Sequence, residues 1–238
     1  MNLAIKESLA RAPILKRKIK SETSDALFCY DQQFWQAGIQ YLCGIDEAGR
    51  GPLAGPVVAA AVIFNPDLKM AEINDSKKLN AGQRERLALQ IKEKALAYGI
   101  GLATAQEIQQ MNILKATFLA MQRAVQRLEI RPDYLLIDGR DFPALFINGC
   151  GQALKGQAVV GGDRRSQVIA AASILAKVHR DSLMEEYAAQ FPQYGFEKHK
   201  GYGTREHQEK ILKYGPCAIH RPSFLRKLLE KQTNLFDR

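Results

Sequence analysis

The sequence predicts an α/β fold, a mixed layer of strands and helices followed by a helical appendage. Three observations support this. Short apolar runs bounded by glycine, at residues 42–46 and 57–64, predict strands early in the chain. Further strand patterns then alternate with amphipathic helices, and the last third of the chain carries only helical patterns. With 238 residues, 46% of them hydrophobic, the chain is long enough for one large domain.

The first half is predicted to hold a terminal extension, three helices and three strands. Residues 1–25 are basic and polar and predict a disordered extension. The glycine-rich segment between the first two strands favours their antiparallel pairing. The remaining elements are a helix at 26–37 with Phe28, Phe34 and Trp35 toward the core, a helix at 79–98, a strand at 100–105, and a helix at 105–129 with Ile108, Leu114, Phe118, Met121, Val125 and Leu128 as candidate core residues.

The second half is predicted to contain two more strands and a long apolar helix. The strands, at 134–137 and 157–160, run into Asp138-Gly139 and Gly161-Gly162-Asp163. The alanine-rich helix follows at 168–189. The chain therefore divides into the extension at 1–25, a main α/β domain at 26–190, and a C-terminal helical region with a tail at 191–238.

Charge and cysteine usage restrict the class of protein. A net charge of +9 favours a polyanionic partner, and nucleic acid is preferred over a membrane surface or an acidic protein. The four cysteines are widely spaced without a CxxC pair, which favours reduced thiols and a cytoplasmic location. The four histidines lack zinc-site spacing, and no apolar run predicts a membrane span or a signal peptide. We expect a cytoplasmic monomer.

Carboxylates stand where three of the predicted strands end, beside glycine. They are Asp46, Glu47, Asp138 and Asp163. If these strands are neighbours, the acids converge at one edge of the sheet, where open α/β sheets place their sites. Acids without histidine or cysteine favour Mg²⁺ or Mn²⁺, and two such ions about 4 Å apart are suited to phosphodiester hydrolysis.

Each acid also has a purely structural interpretation. Adjacent side chains on a regular strand point to opposite faces, so Asp46 and Glu47 share a site only if the strand bulges or ends there. Asp163 could cap the following helix, and Asp138 could initiate a turn through its side chain. The strand-end position that all four acids share favours the metal-site interpretation.

The segment after the first acids combines glycine with a cation. Gly49 and Gly51 allow close approach of backbone to a ligand, and Arg50 between them can pair with a phosphate. The segment is not GxGxxG and lacks the lysine of a P-loop, which disfavours a nucleotide cofactor.

Other candidate binding residues lie on loops and on the long helix. Ser76 and Lys77 precede a helix, where capping and phosphate contact are equally favoured. Ser173 and Lys177, four residues apart, share one helix face. Tyr202 lies between two glycines in a basic loop, so it either stacks on a base or sugar or anchors the loop to the core.

Several of these segments, in this order, resemble the type 2 ribonuclease H family over about residues 26–220. The most specific is GIDEAGRGPLAGPVV at 44–58. The others are DSKKL at 75–79, LIDG at 136–139, GD at 162–163, AAASILAKV at 170–178, RD at 180–181 and HKGYGT at 199–204.

The resemblance implies a ribonuclease H-like catalytic domain with a mixed five-stranded sheet flanked by helices. It implies endonucleolytic cleavage on the 5′ side of a ribonucleotide, in duplex DNA or in the RNA strand of an RNA–DNA hybrid, leaving 3′-hydroxyl and 5′-phosphate ends. The implied metal ligands are Asp46, Glu47, Asp138 and Asp163. Gly49, Arg50 and Gly51 would sense the 2′-hydroxyl, Tyr202 would stack beside the junction sugar, and Ser76, Lys77, Ser173 and Lys177 would contact phosphates.

Two other functions and one partner remain as hypotheses. The chain could be a nucleic-acid-binding module without activity, or a phosphotransferase, against which the missing phosphate-binding lysine argues. Near the C-terminus, Gln232, Leu235 and Phe236 match the spacing of the short peptide with which bacterial replication proteins bind the sliding clamp. Alternatively, Leu235 and Phe236 fold back on the helix that holds Phe224, Leu225, Leu228 and Leu229.

Overall fold

The computed structural model describes residues 25–73, 80–147 and 151–236, with the side chains of 26–230 within those ranges. The strands are β1 (Leu42–Ala48), β2 (Val57–Ile63), β3 (Ala97–Ala103), β4 (Tyr134–Asp138) and β5 (Gly156–Val159). The α-helices are α1 (Asp25–Gln36), α2 (Ala81–Lys94), α3 (Ala105–Met111), α4 (Ile113–Gln126), α5 (Gln167–Gln190), α6 (Phe196–His199), α7 (Arg205–Tyr214) and α8 (Pro222–Phe236). The predicted extension at 1–25 lies outside the described residues except for Asp25.

The strands form one mixed five-stranded sheet in the order β3-β2-β1-β4-β5. β1 pairs antiparallel with β2, as the glycine-rich connection predicted, and parallel with β4. In the parallel pair Ile45 lies opposite Ile137. The next residues along the two strands are Asp46 and Asp138, so the topology places these acids side by side at one end of the sheet.

Each face of the sheet is covered by helices. Leu42 and Leu136 belong to the core shared with α5, α1 and α2, whereas Cys43 and Ile45 belong to the core shared with α4. A Cβ atom on Gly44 would lie 2.1 Å from the backbone of Val168, so only glycine lets α5 approach β1 this closely. The start of α5 is thereby pressed against the strand that carries Asp46.

Two helix predictions were wrong in their extent. The helix predicted at 79–98 ends at Lys94, and Tyr98 lies in β3, where alternate residues from Ala97 are buried against α4 as a half-exposed strand requires. The strand predicted at 100–105 therefore begins three residues earlier, at Ala97. The helix begins at Ala81, after an Asn80 capping box with Gln83.

The helix predicted at 105–129 is two helices separated by Asn112. The backbone of Asn112 has a φ of 74°, which ends α3, and its side chain accepts the amides of Leu114 and Lys115 at the start of α4. Leu114 consequently lies in an exposed first turn and is not a core residue, unlike Met121. An asparagine that tolerates positive φ and caps the next helix is the physical cause of this break.

The C-terminal helices form a third core that is continuous with the main domain. Tyr194, Phe196, Ile211 and Leu225 pack with Ala54, which lies between β1 and β2. The C-terminal region therefore packs against the glycine-rich segment that connects β1 and β2. Among the described helices, none has the length and apolar character needed to cross a bilayer.

Candidate active site

The two acids of β1 lie just beyond the point where its pairing with β4 stops. Pairing of β1 with β2 continues in register through Asp46, Glu47 and Ala48, whereas its parallel pairing with β4 stops at Ile45, so β1 ends on its β4 side where the acids begin. Asp46 is 5% exposed on the side of α5, and Ser173 on that helix hydrogen bonds to its carboxylate. The amide of Glu47 also donates to Oδ1 of Asp46, at 2.7 Å. Ser173 and the amide of Glu47 therefore both orient the Asp46 carboxylate.

Glu47 keeps one of its oxygens without a partner. Arg50 Nη1 lies 3.1 Å from Oε1, while the buried Oε2 has no hydrogen-bond partner among the described residues. Burial raises the pKa of the Glu47 carboxyl, the hydrogen bond and charge of Arg50 oppose this, and Asp138 reinforces it. A buried carboxylate oxygen without a donor is a position that a cation can satisfy.

Asp138 lies within electrostatic reach of both acids on β1. The pKa of Asp46 stands well above its ordinary value, first because of burial and then because of the charges of Glu47 and Asp138. Asp138 Oδ1 accepts the amide of Gly162 at 2.6 Å, so the carboxylate ties β4 to the segment after β5. We call Asp46, Glu47 and Asp138 the acidic edge.

Asp163 follows Gly162 in a short 3₁₀ turn, Gly162–Arg164, with its Oδ1 3.7 Å from Nε of Arg164. The N-cap of α5 is Ser166, so the interpretation of Asp163 as that cap is wrong. Within the ranges that the structure describes, no three His, Cys, Asp or Glu side chains are arranged to hold a metal ion. Three acids therefore interact electrostatically, and Asp163 follows Gly162, whose amide donates to Asp138.

The connection between β1 and β2, residues 49–56, is the glycine loop, and Arg221 holds its first part. Arg221 is fully buried just before α8. Its Nη2 donates to Gly49 O at 2.7 Å, its Nη1 to Arg50 O at 3.0 Å and its Nε to Gly55 O at 2.9 Å. One planar guanidinium therefore joins both ends of the glycine loop.

A second buried arginine, Arg180 on α5, holds the far end of the loop. Its Nε donates to Pro56 O, its Nη2 to Ala54 O and its Nη1 to Lys200 O, all at 3.0–3.1 Å. Sequence reasoning missed the roles of Arg180 and Arg221, since nothing local marks an arginine that is bonded to carbonyls more than a hundred residues away. Both arginines are fully buried, and each donates three hydrogen bonds to main-chain carbonyls.

The two glycines that flank Arg50 differ in the space available for a side chain. Gly49 has a φ of 94°, and a Cβ on it would lie 2.0 Å from Arg180 Nε, so the fold itself requires glycine there. A Cβ on Gly51 would meet no atom within 4 Å. The space beside Gly51 is therefore open to a ligand. The amides of Arg50 and Gly51 donate to no described group.

Tyr202 lies at the rim of the same region, in the basic loop of residues 198–204. Its ring is 45% exposed, with Lys177 Nζ 5.9 Å and Arg180 Cζ 5.8 Å from the ring centroid. Lys177 also pairs with Asp181 at 2.8 Å. Tyr202 is therefore half-exposed and adjacent to two cations, as a residue that stacks on nucleic acid would be. Ser76 and Lys77 lie outside the described residues.

Three buried histidines, which the sequence did not assign, connect this loop to the start of α8. The Cys217 amide donates to His220 Nδ1 at 2.9 Å, which makes Nε2 of His220 the donor to His207 Nε2, at 3.0 Å. His207 Nδ1 is then the donor to Tyr202 O, at 2.9 Å. The ring of His199 stacks on His207. We call this relay from Cys217 to Tyr202 the histidine chain.

His207 and His220 both have to be neutral for the donors and acceptors of the histidine chain to match. Burial lowers the pKa of both His207 and His220 to about 4, in agreement with neutral rings. The chain has no signature in sequence because the tautomer of each ring is set by a neighbour that only the fold supplies.

The family model for ribonuclease HII matches residues 43–227 of the chain. The sequence is 48% identical over 227 residues to ribonuclease HII of Clostridioides difficile, covering 95% of this chain and 85% of that protein. It is 51% identical over 212 residues to ribonuclease HII of Syntrophus aciditrophicus, covering 87% and 97% of the two chains.

Solved structures are similar in fold. Ribonuclease H2 from Pyrococcus horikoshii gives a TM-score of 0.65 at 29% identity, covering 80% of this chain and 98% of that one. Ribonuclease HII in the PCNA complex from Archaeoglobus fulgidus gives 0.61 at 26%, covering 76% and 93%. With a family model that spans most of the sequence and with relatives of such identity, the chain belongs to the ribonuclease HII family.

Proposed function

We propose that this endoribonuclease of RNA–DNA hybrids cleaves the phosphodiester on the 5′ side of a ribonucleotide, leaving 3′-hydroxyl and 5′-phosphate ends. Its substrates include duplex DNA that holds a single ribonucleotide. One observation carries the proposal: the acidic edge is continuous in sequence with a loop whose outward amides face open space at Gly51. Groups suited to phosphodiester chemistry thus adjoin groups suited to reading a sugar.

Asp46, Glu47, Asp138 and Asp163 are the residues proposed to hold Mg²⁺ or Mn²⁺ in this metal-dependent family. The donor set fits, because it consists of oxygen atoms alone and leaves Glu47 Oε2 buried without a partner. The raised pKa of Asp46, caused by burial and then by its acidic neighbours, marks a deficit of positive charge at the same place. Divalent cations bound there supply an activated water and stabilise the leaving oxygen.

The glycine loop and Tyr202 are proposed to recognise the ribose. The 2′-hydroxyl distinguishes RNA from DNA, and the unpaired amides of Arg50 and Gly51 can donate to its oxygen. The exposed ring of Tyr202 then stacks beside the junction sugar. Lys177, whose Nζ lies 5.9 Å from the centroid of that ring, and Ser173, which also hydrogen bonds to Asp46, are proposed to contact phosphates. Ser76 and Lys77 stay proposed phosphate contacts.

The test is cleavage of a DNA duplex holding one ribonucleotide, with the all-DNA duplex of the same sequence as control. We expect a single cut 5′ of the ribonucleotide with Mg²⁺ or Mn²⁺, no cut of the control, and none after chelation. A cut on the 3′ side would contradict the proposed position of cleavage. Binding to both duplexes without cleavage under any divalent cation would favour the hypothesis of a binding module.

We also propose that the C-terminal tail binds a DNA sliding clamp, a hypothesis that the PCNA complex of a structural neighbour supports. Helix α8 is continuous through Phe236, which is about 10 Å along the axis from position 229. The alternative, in which Leu235 and Phe236 pack against residues 224–229, concerns side chains outside the described ones. Positions 232, 235 and 236 share one helix face.

A fluorescence titration of the purified clamp tests this proposal. The double variant Leu235→Ala/Phe236→Ala should lose binding, whereas Leu89→Ala, which removes an exposed leucine from α2, should bind like the wild type. Equal affinity of all three proteins would contradict clamp binding through the tail.

We propose a cytoplasmic location because the described cysteines are not paired in disulfides. Cys29, Cys43 and Cys217 are free thiols in the described residues, and the reducing cytoplasm maintains this state.

A further inference from the structure

We propose that Arg221 is a positioning residue that sets the direction of the peptide groups in the glycine loop and thereby the preference for a ribonucleotide. This assignment rests on the proposed role of that loop in sensing the 2′-hydroxyl. Arg221 does not itself face the ligand, because it is fully buried beneath the loop. It acts through the carbonyl groups of Gly49, Arg50 and Gly55.

The geometry of the peptide bond connects those carbonyls to the outer surface of the loop. In a trans peptide the C=O and the following N–H point in opposite directions. Arg221 draws the carbonyls of Gly49 and Arg50 inward, so the amides of Arg50 and Gly51 are directed outward. These are the two amides that donate to no described group.

The flanking glycines make such a constraint necessary. Gly49 and Gly51 lack the Cβ that restricts φ and ψ in other residues, so either peptide can rotate at low energetic cost. A flipped peptide would present a carbonyl oxygen to the substrate instead of an amide. The hydrogen bonds from Arg221 oppose that rotation, since a flip would leave a buried guanidinium donor without an acceptor.

Arginine is suited to this role and lysine is not. The guanidinium is planar, permanently charged and able to donate in several fixed directions, here to three carbonyls at 2.7–3.0 Å. A lysine ammonium is a point charge on a flexible stem and cannot hold the three acceptors in one plane. The main chain anchors the side chain as well, because the Arg221 amide donates to Leu53 O.

Arg180 has a separable role. Its three acceptors are the carbonyls of Ala54, Pro56 and Lys200, none of which precedes the amides of Arg50 or Gly51. Arg180 therefore fixes the glycine loop relative to the basic loop, whereas Arg221 fixes the direction of the peptides that face the ribose. Only the loss of Arg221 should remove the discrimination between sugars while leaving affinity for DNA unchanged.

The experiment compares Arg221→Lys with the wild type, using Arg86→Lys on the exposed surface of α2 as matched control. Fluorescence anisotropy without divalent cation gives Kd for two duplexes that differ by one 2′-hydroxyl group. We expect the wild-type preference for the ribonucleotide duplex to fall by roughly tenfold in Arg221→Lys, as loss of charge-assisted hydrogen bonds predicts. The Kd for the all-DNA duplex should stay within about twofold, and Arg86→Lys should match the wild type.

Chemical rescue provides a second measurement. Arg221→Ala should regain the preference on addition of millimolar guanidinium, but not of ammonium at the same ionic strength. The assignment is overturned if Arg221→Lys keeps the wild-type preference, or if it weakens binding of both duplexes equally. It is also overturned if guanidinium restores the melting temperature of Arg221→Ala without restoring the preference. Absence of any preference in the wild type would instead refute the proposed sensing of the 2′-hydroxyl by the glycine loop, whereas the cleavage assay tests the proposed function itself.

Discussion

The acidic edge and the support of the glycine loop are adjacent regions that bury polar groups in opposite ways. At the acidic edge, Asp46 and Glu47 are buried close to another acid, their pKa values are raised by burial, and one oxygen has no partner. The groups that support the glycine loop are Arg221 and the histidine chain. They are just as buried, yet each of their donors meets an acceptor. The acidic edge would be stabilised by positive charge from a bound cation, whereas Arg221 and the histidine chain need no such ligand.

This difference separates the two tasks of the site. Like charges held close together in a low-dielectric setting are unfavourable until a cation joins them. The rigid pairing of β1 with β4 keeps Asp46 and Asp138 near each other despite that repulsion. The proposed recognition of a sugar by the glycine loop requires fixed donors, and the groups that hold this loop have their own hydrogen bonds satisfied. Four predictions test the comparison.

The largest effect is expected at the acidic edge. Asp46→Asn and Asp138→Asn should each lower turnover at least about a thousandfold, because several kcal/mol of metal-derived stabilisation are lost. Duplex binding should stay close to that of the wild type. Asp163→Asn should be impaired less, and Asp67→Asn, at an exposed position, should be unaffected. Near-normal turnover of Asp46→Asn would remove that residue from the site.

The same variant also tests the electrostatic argument without any chemistry. In the absence of divalent cations, Asp46→Asn should raise the melting temperature, since it removes a buried charge that its neighbours repel. An unchanged or lower melting temperature would contradict the repulsion.

The second effect distinguishes the two glycines of the loop. Gly51→Val should fold like the wild type, because a Cβ there meets nothing within 4 Å. Cleavage of the single-ribonucleotide duplex should fall roughly a hundredfold, as displacement of a reacting group by about 1 Å would cause. Gly49→Ala should instead lower the melting temperature, since its Cβ would collide with Arg180. Wild-type cleavage by Gly51→Val would refute the sensing role.

The third effect concerns the exposed ring. Tyr202→Ala should lower cleavage of the single-ribonucleotide duplex roughly 5- to 150-fold, corresponding to ~1–3 kcal/mol of stacking. Tyr202→Phe should retain most of the activity, and Tyr214→Ala, which removes another half-exposed ring, should be close to the wild type. Equal losses in both Tyr202 variants would assign the effect to the hydroxyl group.

The smallest effect is on stability and concerns the histidine chain. His207 and His220 have a pKa of about 4 in the folded protein, below the ~6.5 of an unfolded histidine. Between these values the unfolded chain binds more protons. Each histidine should therefore remove up to about 1.4 kcal/mol of stability per pH unit as the pH falls through this window.

Because the raised pKa values of the acidic edge act in the opposite sense, the measurement has to be a difference. Urea unfolding of the wild type and of His207→Asn should give a stability difference that shrinks by about 1–2 kcal/mol between pH 7 and pH 5. Asparagine keeps a donor for Tyr202 O but does not titrate. A difference independent of pH would show that the rings are not held neutral by the fold.

Sequence patterns predicted the presence of the elements that carry the candidate site residues better than they predicted where helices and strands begin and end. The strand that carries Asp46 and the helix that carries Ser173 were expected from apolar runs of the correct period, and both are present. The break at Asn112 was missed because apolar periodicity continues across it, and only the backbone angle separates α3 from α4. The start of β3 was missed because Tyr98 fits the spacing of apolar residues in the preceding helix as well as the alternation of a strand.

The sequence by itself determined which residues are candidates for the chemistry: acids at strand ends, an arginine between glycines and a tyrosine in a basic loop. These candidates follow from residue type and local spacing, which can be read directly from the sequence. Only the tertiary structure decided that Asp46 lies beside Asp138, and that Arg221 holds the loop at Gly49. Such contacts join segments far apart in sequence, and their geometry is set by strand pairing and helix packing.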